Sequence, residues 1–341
     1  MEKASTRYLI EKFGSEEGEV NVSFGLRPSG TIHLGNMMTM GLAAGLSREI
    51  GPHRTSLNIT ICDLDLPDST DWSIHKNGYA KHYRDLGDTE GCHNTVAEHT
   101  RESIGDFMRA LGRTSHIDYR LLSLSDIQRD SKYREGLKRI LDTPEAIHLI
   151  NPELPEETVP VYPLCPECKG SYTGAQKSKR NVYREGRIFT FCTNAECAIE
   201  EFDVDVLDTA RDLSVHLFID PIRDAVMEPH ANIHVFGGDY SEEHSLNKIP
   251  KFEKILRLMG IAAPNQHLPY VLIGPTIYSR DGSKMSKSRN NGLNTRQLKD
   301  YLGEDYPERV LEFTMGLVNQ GYHHVDYGLV NDNLLKQQVE N

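Results

Sequence analysis

The sequence predicts an α/β fold built on a parallel sheet, and three observations lead there. Short β-rich apolar runs alternate with longer helical stretches over most of the 341 residues, with no internal repeat or low-complexity tract. A strand over 20–25 passes through the turn Arg27-Pro28-Ser29-Gly30 into a helix over 33–50, and strand, tight turn and helix together form a phosphate-handling arrangement. The alternation breaks at Asn151, where a proline-rich stretch leads into a cysteine-bearing segment ending near Asp205, and then resumes.

The elements follow in order. The first helix carries Gly35, Gly41, Ala43, Ala44 and Gly45, small residues expected to let it pack closely on a sheet. A second strand is expected over 54–63, a helix over 95–111 and a third strand over 116–121. Ser125 and Gln128 suit a capping box opening another helix that runs to about residue 141. Beyond the break, strands are expected over 215–219, 233–236 and 270–273, with a helix over 241–259. The tail then gives helices over 295–302 and 307–318. The expected organisation is thus one α/β domain in two halves, 1–150 and 206–292, split by an inserted module over 151–205 and followed by a helical tail over 293–341.

Composition narrows the function classes. With 38% hydrophobic and 26% charged residues the chain is an ordinary globular one, and no apolar run approaches the ~20 residues of a membrane span. The N-terminus lacks a basic start, apolar stretch and cleavage site, so a cytoplasmic protein with no membrane partner is expected. Against 38 Lys+Arg stand 50 Asp+Glu, a formal charge of −12, which excludes nucleic-acid binding by bulk electrostatics but not by a local basic patch.

Four of the six cysteines form two close pairs, Cys165-Pro-Glu-Cys168 and Cys192-Thr-Asn-Ala-Glu-Cys197. Four thiolates on two short knuckles suit the closed tetrahedral coordination of a structural Zn2+. Cys62 and Cys92 have no partner pattern and read as core or incidental thiols. Within the module, Lys169, Lys177, Lys179, Arg180, Arg184 and Arg187 interleave with Tyr172 and Tyr183. Such a ribbon suits contact with an RNA end, and equally a solvated hairpin face.

Two further motifs carry chemistry: Pro28-Ser29-Gly30-Thr31-Ile32-His33-Leu34-Gly35-Asn36 and Lys284-Met285-Ser286-Lys287-Ser288. Together, in this order on opposite halves of an α/β chain, they resemble the HIGH and KMSKS signatures of class I aminoacyl-tRNA synthetases. The finer resemblance is to the class I lysyl-tRNA synthetases, whose first motif reads PSG followed by HIGN. Asp63-Leu64-Asp65, the cysteine insertion, Ile219-Asp220 and Phe236-Gly237-Gly238-Asp239 are similar to that family as well.

The resemblance implies a Rossmann-like nucleotide-binding domain that forms an aminoacyl-adenylate from ATP with Mg2+, releases pyrophosphate and passes the acyl group to the acceptor arm of a tRNA or to another acceptor. His33, Asn36, Lys284 and Lys287 take the catalytic roles in it, stabilising phosphate oxygens as charge builds on them. Gly25, Ser29, Gly30, Gly35, Met285, Ser286 and Ser288 fall in the ATP site. Asp63, Asp65, Asp220 and Asp239, at the carboxyl ends of strands, become candidates for the amino acid's ammonium or the ribose, and helix caps or turn residues are the other reading of Asp65 and Asp239. Lysine or an analogue is the amino acid implied, yet the family's tryptophan-rich segment is replaced here by LFIDPIRDAV, and Trp72 is the only tryptophan. The chain ends about fifty residues after the second motif, so the resemblance implies a catalytic core lacking the helical anticodon-binding region. Two other readings stay open: a nucleotidylyltransferase with a related HxGH site, and a non-catalytic RNA-binding or regulatory relative. RPSG and HLGN occur in tryptophanyl- and tyrosyl-type enzymes too, which the four-cysteine insertion fits less well.

Overall fold

The computed structural model describes residues 4–67, 79–88, 90–172, 180–215, 232–238, 251, 253–260, 269–285 and 292–335. The first half comprises α1 (Thr6–Ser15), β1 (Val20–Leu26), α2 (Leu34–Ile50), β2 (Thr55–Ile61), β3 (Tyr79–Lys81), α3 (Val96–Ser115) and β4 (Tyr119–Ser123). Helices α4 (Leu124–Ile127), α5 (Ser131–Leu141) and α6 (Pro144–Ile150) follow, then short strands β5 (Val161–Pro163), β6 (Gly170–Tyr172), β7 (Val182–Arg184), β8 (Arg187–Phe191), β9 (Glu201–Asp205) and β10 (Leu213–Val215). The chain ends with β11 (Ile233–Phe236), β12 (Tyr270–Ile273), β13 (Thr276–Ile277), α7 (Thr295–Leu302), α8 (Tyr306–Asn319), β14 (His324–Val325) and α9 (Tyr327–Val330).

Five strands form one parallel sheet in the order β12-β11-β1-β2-β4. The chain runs outward from β1 through β2 to β4, then returns to β1's other side for β11 and β12. The direction of winding therefore reverses between β1 and β11, and in α/β sheets ligands bind at the carboxyl ends of the strands at such a switch point. His33 follows β1 there, and Gly237 and Gly238 follow β11.

Fully covered parallel strands usually read as continuous apolar runs; these alternate instead. Val22, Phe24, Leu57, Ile59, Ile233, Val235 and Leu272 point to one face and join the main core with α2, α3 and α8. Asn21, Ser23, Asn58, Thr60 and His234 point to the other and are buried all the same. Helix α2 is buried almost all round because it lies between the sheet and α8. Gly41 and Gly45, expected against the sheet, face α8 instead: a Cβ at Gly41 would come within 3.2 Å of the Leu311 Cα, and one at Gly45 within 2.5 Å of Met315.

Three local expectations are corrected. The third strand begins at Tyr119, since His116 adopts the left-handed conformation (φ 54°) and caps α3 by donating its N–H to Gly112. Ser125 and Gln128 form no capping box. Asp130 caps α5 by accepting from the Lys132 N–H at 2.8 Å, while Gln128 holds both backbone groups of Leu213. The strand expected over 215–219 is described only through Val215, where β10 pairs antiparallel with β5 outside the central sheet. Of the helix over 241–259, residue 251 and residues 253–258 are described and helical. Strands β11 and β12 and the two tail helices lie where the sequence puts them.

A second core joins α5, α6, β5, β8, β9, β10 and residues 255 and 256. Arg134, 1% exposed, ties its parts by donating Nε to the Gln128 carbonyl at 2.7 Å and Nη2 to that of Arg211. No described helix is long and apolar enough to cross a membrane.

Candidate active site and metal centres

His33 is the N-cap of α2, with extended backbone (φ −116°, ψ 170°). Its Nδ1 accepts the Gly35 N–H at 3.0 Å, and the Asn36 Oδ1 reaches back to the His33 N–H at 3.4 Å, closing a capping box. A cap acceptor at Nδ1 places the proton of the neutral ring on Nε2, which leaves a fixed Nε2–H donor at the end of β1. The Leu34 N–H donates to the Leu293 carbonyl at 2.7 Å. The Leu34 and Gly35 donors of the first turn thus have partners within the chain, unlike the free amides of an anion-binding helix start.

Gly35 also serves the cap. A Cβ there would lie 2.8 Å from the His33 Cε1, so the ring folds over a position only glycine leaves open. Gly35→Ala is expected to turn the imidazole off its cap and destabilise the protein by about 1 kcal/mol, read as a lower urea midpoint at unchanged slope. An unshifted midpoint would contradict the packing argument. Gly30 sits at φ 115° in the preceding turn, and Ser29 donates its N–H to the Arg27 carbonyl at 2.9 Å. Gly25 is extended within β1, where a Cβ would meet the Cys62 Sγ at 3.4 Å.

The first signature segment meets the stretch that follows the second, and Gly292 lies between His33 and Met285. His33 and Asn294 form an antiparallel bridge, and Gly292 packs against the His33 side chain. On the near limb, Tyr278 and Lys284 bridge across a tight turn in which Ser279 donates its N–H to the Ser283 carbonyl at 2.8 Å. The hydroxyls of Ser279 and Ser283 and the Ser283 N–H all donate to Asp281, holding its carboxyl down to about 2. Met285 is 4% exposed: its N–H donates to the Ile277 carbonyl and its side chain lies in the main core. The chain thus fixes both neighbours of the Lys284 limb, core below and turn above. Ser286, Lys287 and Ser288 lie outside the described residues.

Of the four acidic candidates, Asp63 and Asp65 are described and both are buried. Burial pushes the Asp63 carboxyl up, opposed by the Ser125 hydroxyl and N–H at 2.5 and 2.9 Å and by Arg84. Those bonds tie the end of β2 to the start of α4. Asp65 accepts from the Arg27 Nε at 3.1 Å, which fastens the first-motif turn to the loop after β2. Asp220 and Asp239 lie outside the described residues.

Cys165, Cys168, Cys192 and Cys197 converge. The Sγ atoms stand 3.5 Å apart for Cys168 and Cys192 and 3.7 Å for Cys165 and Cys197, far beyond a disulfide bond and close to the ~3.8 Å edge of a tetrahedron with Zn–S bonds of ~2.3 Å. Burial opposes ionisation of Cys168, but the Gly170 N–H and the thiols of Cys192 and Cys165 outweigh it and hold its thiol down to about 7. The knuckle closes through the left-handed Lys169 (φ 59°) and the Cys165 N–H donating to the Gly170 carbonyl. The donor set fits zinc. Two cations of the basic ribbon beside it are paired, Arg184 with Glu157 at 2.6 Å and Arg187 with Asp203, and the Tyr183 hydroxyl donates to Asp142 at 2.6 Å.

A second donor set escaped the sequence reading. One ligand atom each from Asp88, Cys92, His93 and His99 lies within 4.8 Å of the others. Cys92 is exposed and not a core thiol; its Sγ stands 3.1 Å from the Nδ1 of both His93 and His99. Desolvation opposes ionisation of Asp88, but the N–H groups of Glu90 and His93 and the Cys92 thiol hold its carboxyl well below the usual range. One oxygen, one sulfur and two imidazole nitrogens suit a borderline cation such as Zn2+. The available signal was the adjacent Cys92-His93 pair with a second histidine six residues on.

The family model described as tRNA synthetases class I (K) matches residues 2–206, more than half of the chain. No curated protein matches it. Among solved structures, tyrosyl-tRNA synthetase from Archaeoglobus fulgidus with L-tyrosine is 15% identical at a TM-score of 0.43, over 94% of this chain and 79% of the other. Tryptophanyl-tRNA synthetase from Campylobacter jejuni with ADP and tryptophan is 15% identical at 0.39, over 82% and 66%. Both likenesses are too remote to bear on the substrate.

Proposed function

From the premise that the chain belongs to the tRNA synthetases class I (K) family, whose members activate an amino acid with ATP and charge tRNA, we propose that this protein activates lysine or a close analogue and passes it to a tRNA acceptor end. The observation that supports the reading is that the first signature segment, at the switch point of the sheet, is held against residues 292–294, which follow the second, through the Leu34 N–H on Leu293 and the bridge from His33 to Asn294, with Gly292 placed between His33 and Met285.

In this reading the substrate carboxylate attacks the α-phosphorus and pyrophosphate leaves, so negative charge grows on phosphate oxygens. The His33 Nε2–H donates to one of them, in a direction set by the cap at Nδ1. Lys284 and Lys287 neutralise the departing pyrophosphate with the Ser286 and Ser288 hydroxyls, and Mg2+ arrives with ATP. Gly30 gives the phosphates room at the turn, Asn36 keeps the cap closed, and Asp63, Asp65, Asp220 and Asp239 are the acidic candidates for the substrate ammonium or the ribose. The four cysteines hold a structural Zn2+ with no open coordination position. The chain divides as proposed for a catalytic domain over 1–150 and 206–292, a zinc-bearing insertion over 151–205 and a helical tail over 293–341.

Lys284→Ala is expected to lower kcat for pyrophosphate exchange by about 10²–10³ with the amino-acid KM within a few-fold, because its contact belongs to the leaving group. Equal loss in both parameters would remove that role. The acceptor is tested by incubating the protein with ATP, labelled lysine and total tRNA. Acid-precipitable label sensitive to mild base is expected, and adenylate formation without tRNA labelling would reassign the acceptor.

A further inference from the structure

Two threonines join the His33 turn to the Asp88–Cys92–His93–His99 cluster. His99, 8% exposed, turns Nδ1 toward the cluster, 3.3 Å from the Asp88 Oδ2 and 3.1 Å from the Cys92 Sγ, and Nε2 toward the Thr31 hydroxyl at 3.2 Å. A ligand bond at Nδ1 places the ring proton on Nε2, which then donates to the Thr31 Oγ1. The Thr31 hydroxyl is left to donate to Glu90, on the same loop as Asp88. The next residue of α3, the fully buried Thr100, donates its hydroxyl to the Gly30 carbonyl at 2.9 Å. Adjacent residues of α3 thus pin Gly30, at φ 115°, and Thr31, and the completely buried Ile32 leads directly to His33.

We infer that Thr31 and Thr100 are positioning residues through which the loaded cluster holds the nucleotide-binding turn, so that ATP affinity depends on a metal that does not touch ATP. The ATP part of this inference rests on the proposed function; the linkage itself does not. The partners of the two hydroxyls are Glu90, His99 and the Gly30 carbonyl, not the four cysteines, so the Cys165–Cys197 centre serves as the internal control.

The experiment uses the whole chain and the variants Thr31→Val, Thr100→Val and His99→Ala, plus the double variant Thr31→Val/His99→Ala. ATP binding is measured by calorimetry, zinc content by elemental analysis, and amide hydrogen exchange on peptides covering residues 27–36. Thr31→Val and Thr100→Val are expected to keep their zinc, weaken ATP by ~5–20-fold, the scale of one lost hydrogen bond, and speed exchange in 27–36. His99→Ala is expected to lose one zinc equivalent with the same two effects, and the double variant to be no worse than His99→Ala, because both changes cut one connection. Full zinc content in His99→Ala, parental exchange in the threonine variants, or additive losses in the double variant would overturn the inference. A parent that binds no ATP would sink the proposed function instead, and the exchange and zinc measurements would still decide the linkage.

Discussion

His33→Ala is expected to slow ATP–pyrophosphate exchange by about 10²–10³ while leaving the amino-acid KM within a few-fold. In the proposed reaction the rate loss follows from removing a donor to the phosphate oxygens on which charge develops in the transition state. The same substitution removes the N-cap of α2, since the Gly35 N–H loses its acceptor at Nδ1, and costs about 1 kcal/mol of stability. The two effects separate in His33→Ser. A serine caps α2 but does not reach as far as the imidazole, so stability is expected to return while exchange stays low. If His33→Ser exchanges at the parental rate, the imidazole has no catalytic role and His33 is only a cap.

The second large effect is expected at the four-cysteine centre. Cys168→Ala is expected to lose one zinc equivalent and to expose the segment between Val161 and Asp205 to proteolysis. The described strands of that segment run three to five residues, too short to stand without a cross-link, and bound structural zinc contributes ~10–16 kcal/mol in isolated zinc-finger peptides. Gly170 transmits the loss toward the main domain: it pairs with Lys81 in the β3–β6 ladder, and Tyr79 lies so close that a Cβ at Gly170 would overlap its ring. ATP binding is expected to survive, because the His33 turn draws its contacts from α3 and the 292–294 limb. A variant that keeps its full zinc content and protease resistance would show that the four thiols act as buried side chains and not as ligands.

Much of this was legible before the fold was known, for physical reasons that can be traced. The strand, turn and helix around Gly30 and His33 are local, so residue types at fixed spacing specify them, and the paired cysteines declare a coordination sphere whose geometry admits few alternatives. Side-chain partnerships set by tertiary packing were hidden. Ser125 and Gln128 have the spacing of a cap, yet Asp63 and Leu213, distant in sequence, take their hydrogen bonds. Gly41 and Gly45 announce a close approach without saying to what, and α8, more than 260 residues away, is the answer. The Asp88 cluster escaped because its ligands come from a loop and the first turn of a helix, with a lone thiol and no cysteine pair. The strand–turn–helix pattern does not reveal that the Leu293 carbonyl and the His33 ring take the Leu34 and Gly35 amides of α2, because the first of these partners is distant in sequence.

The central claim, that the His33 turn and the residues flanking the second signature make an amino-acid-activating site, is tested most directly by ATP–pyrophosphate exchange with each of the common amino acids and with lysine analogues. Exchange that depends on lysine or one of its analogues and is abolished by Lys284→Ala is the predicted result. No amino-acid-dependent exchange with any of them, in a protein that retains its zinc and its fold, would contradict the account.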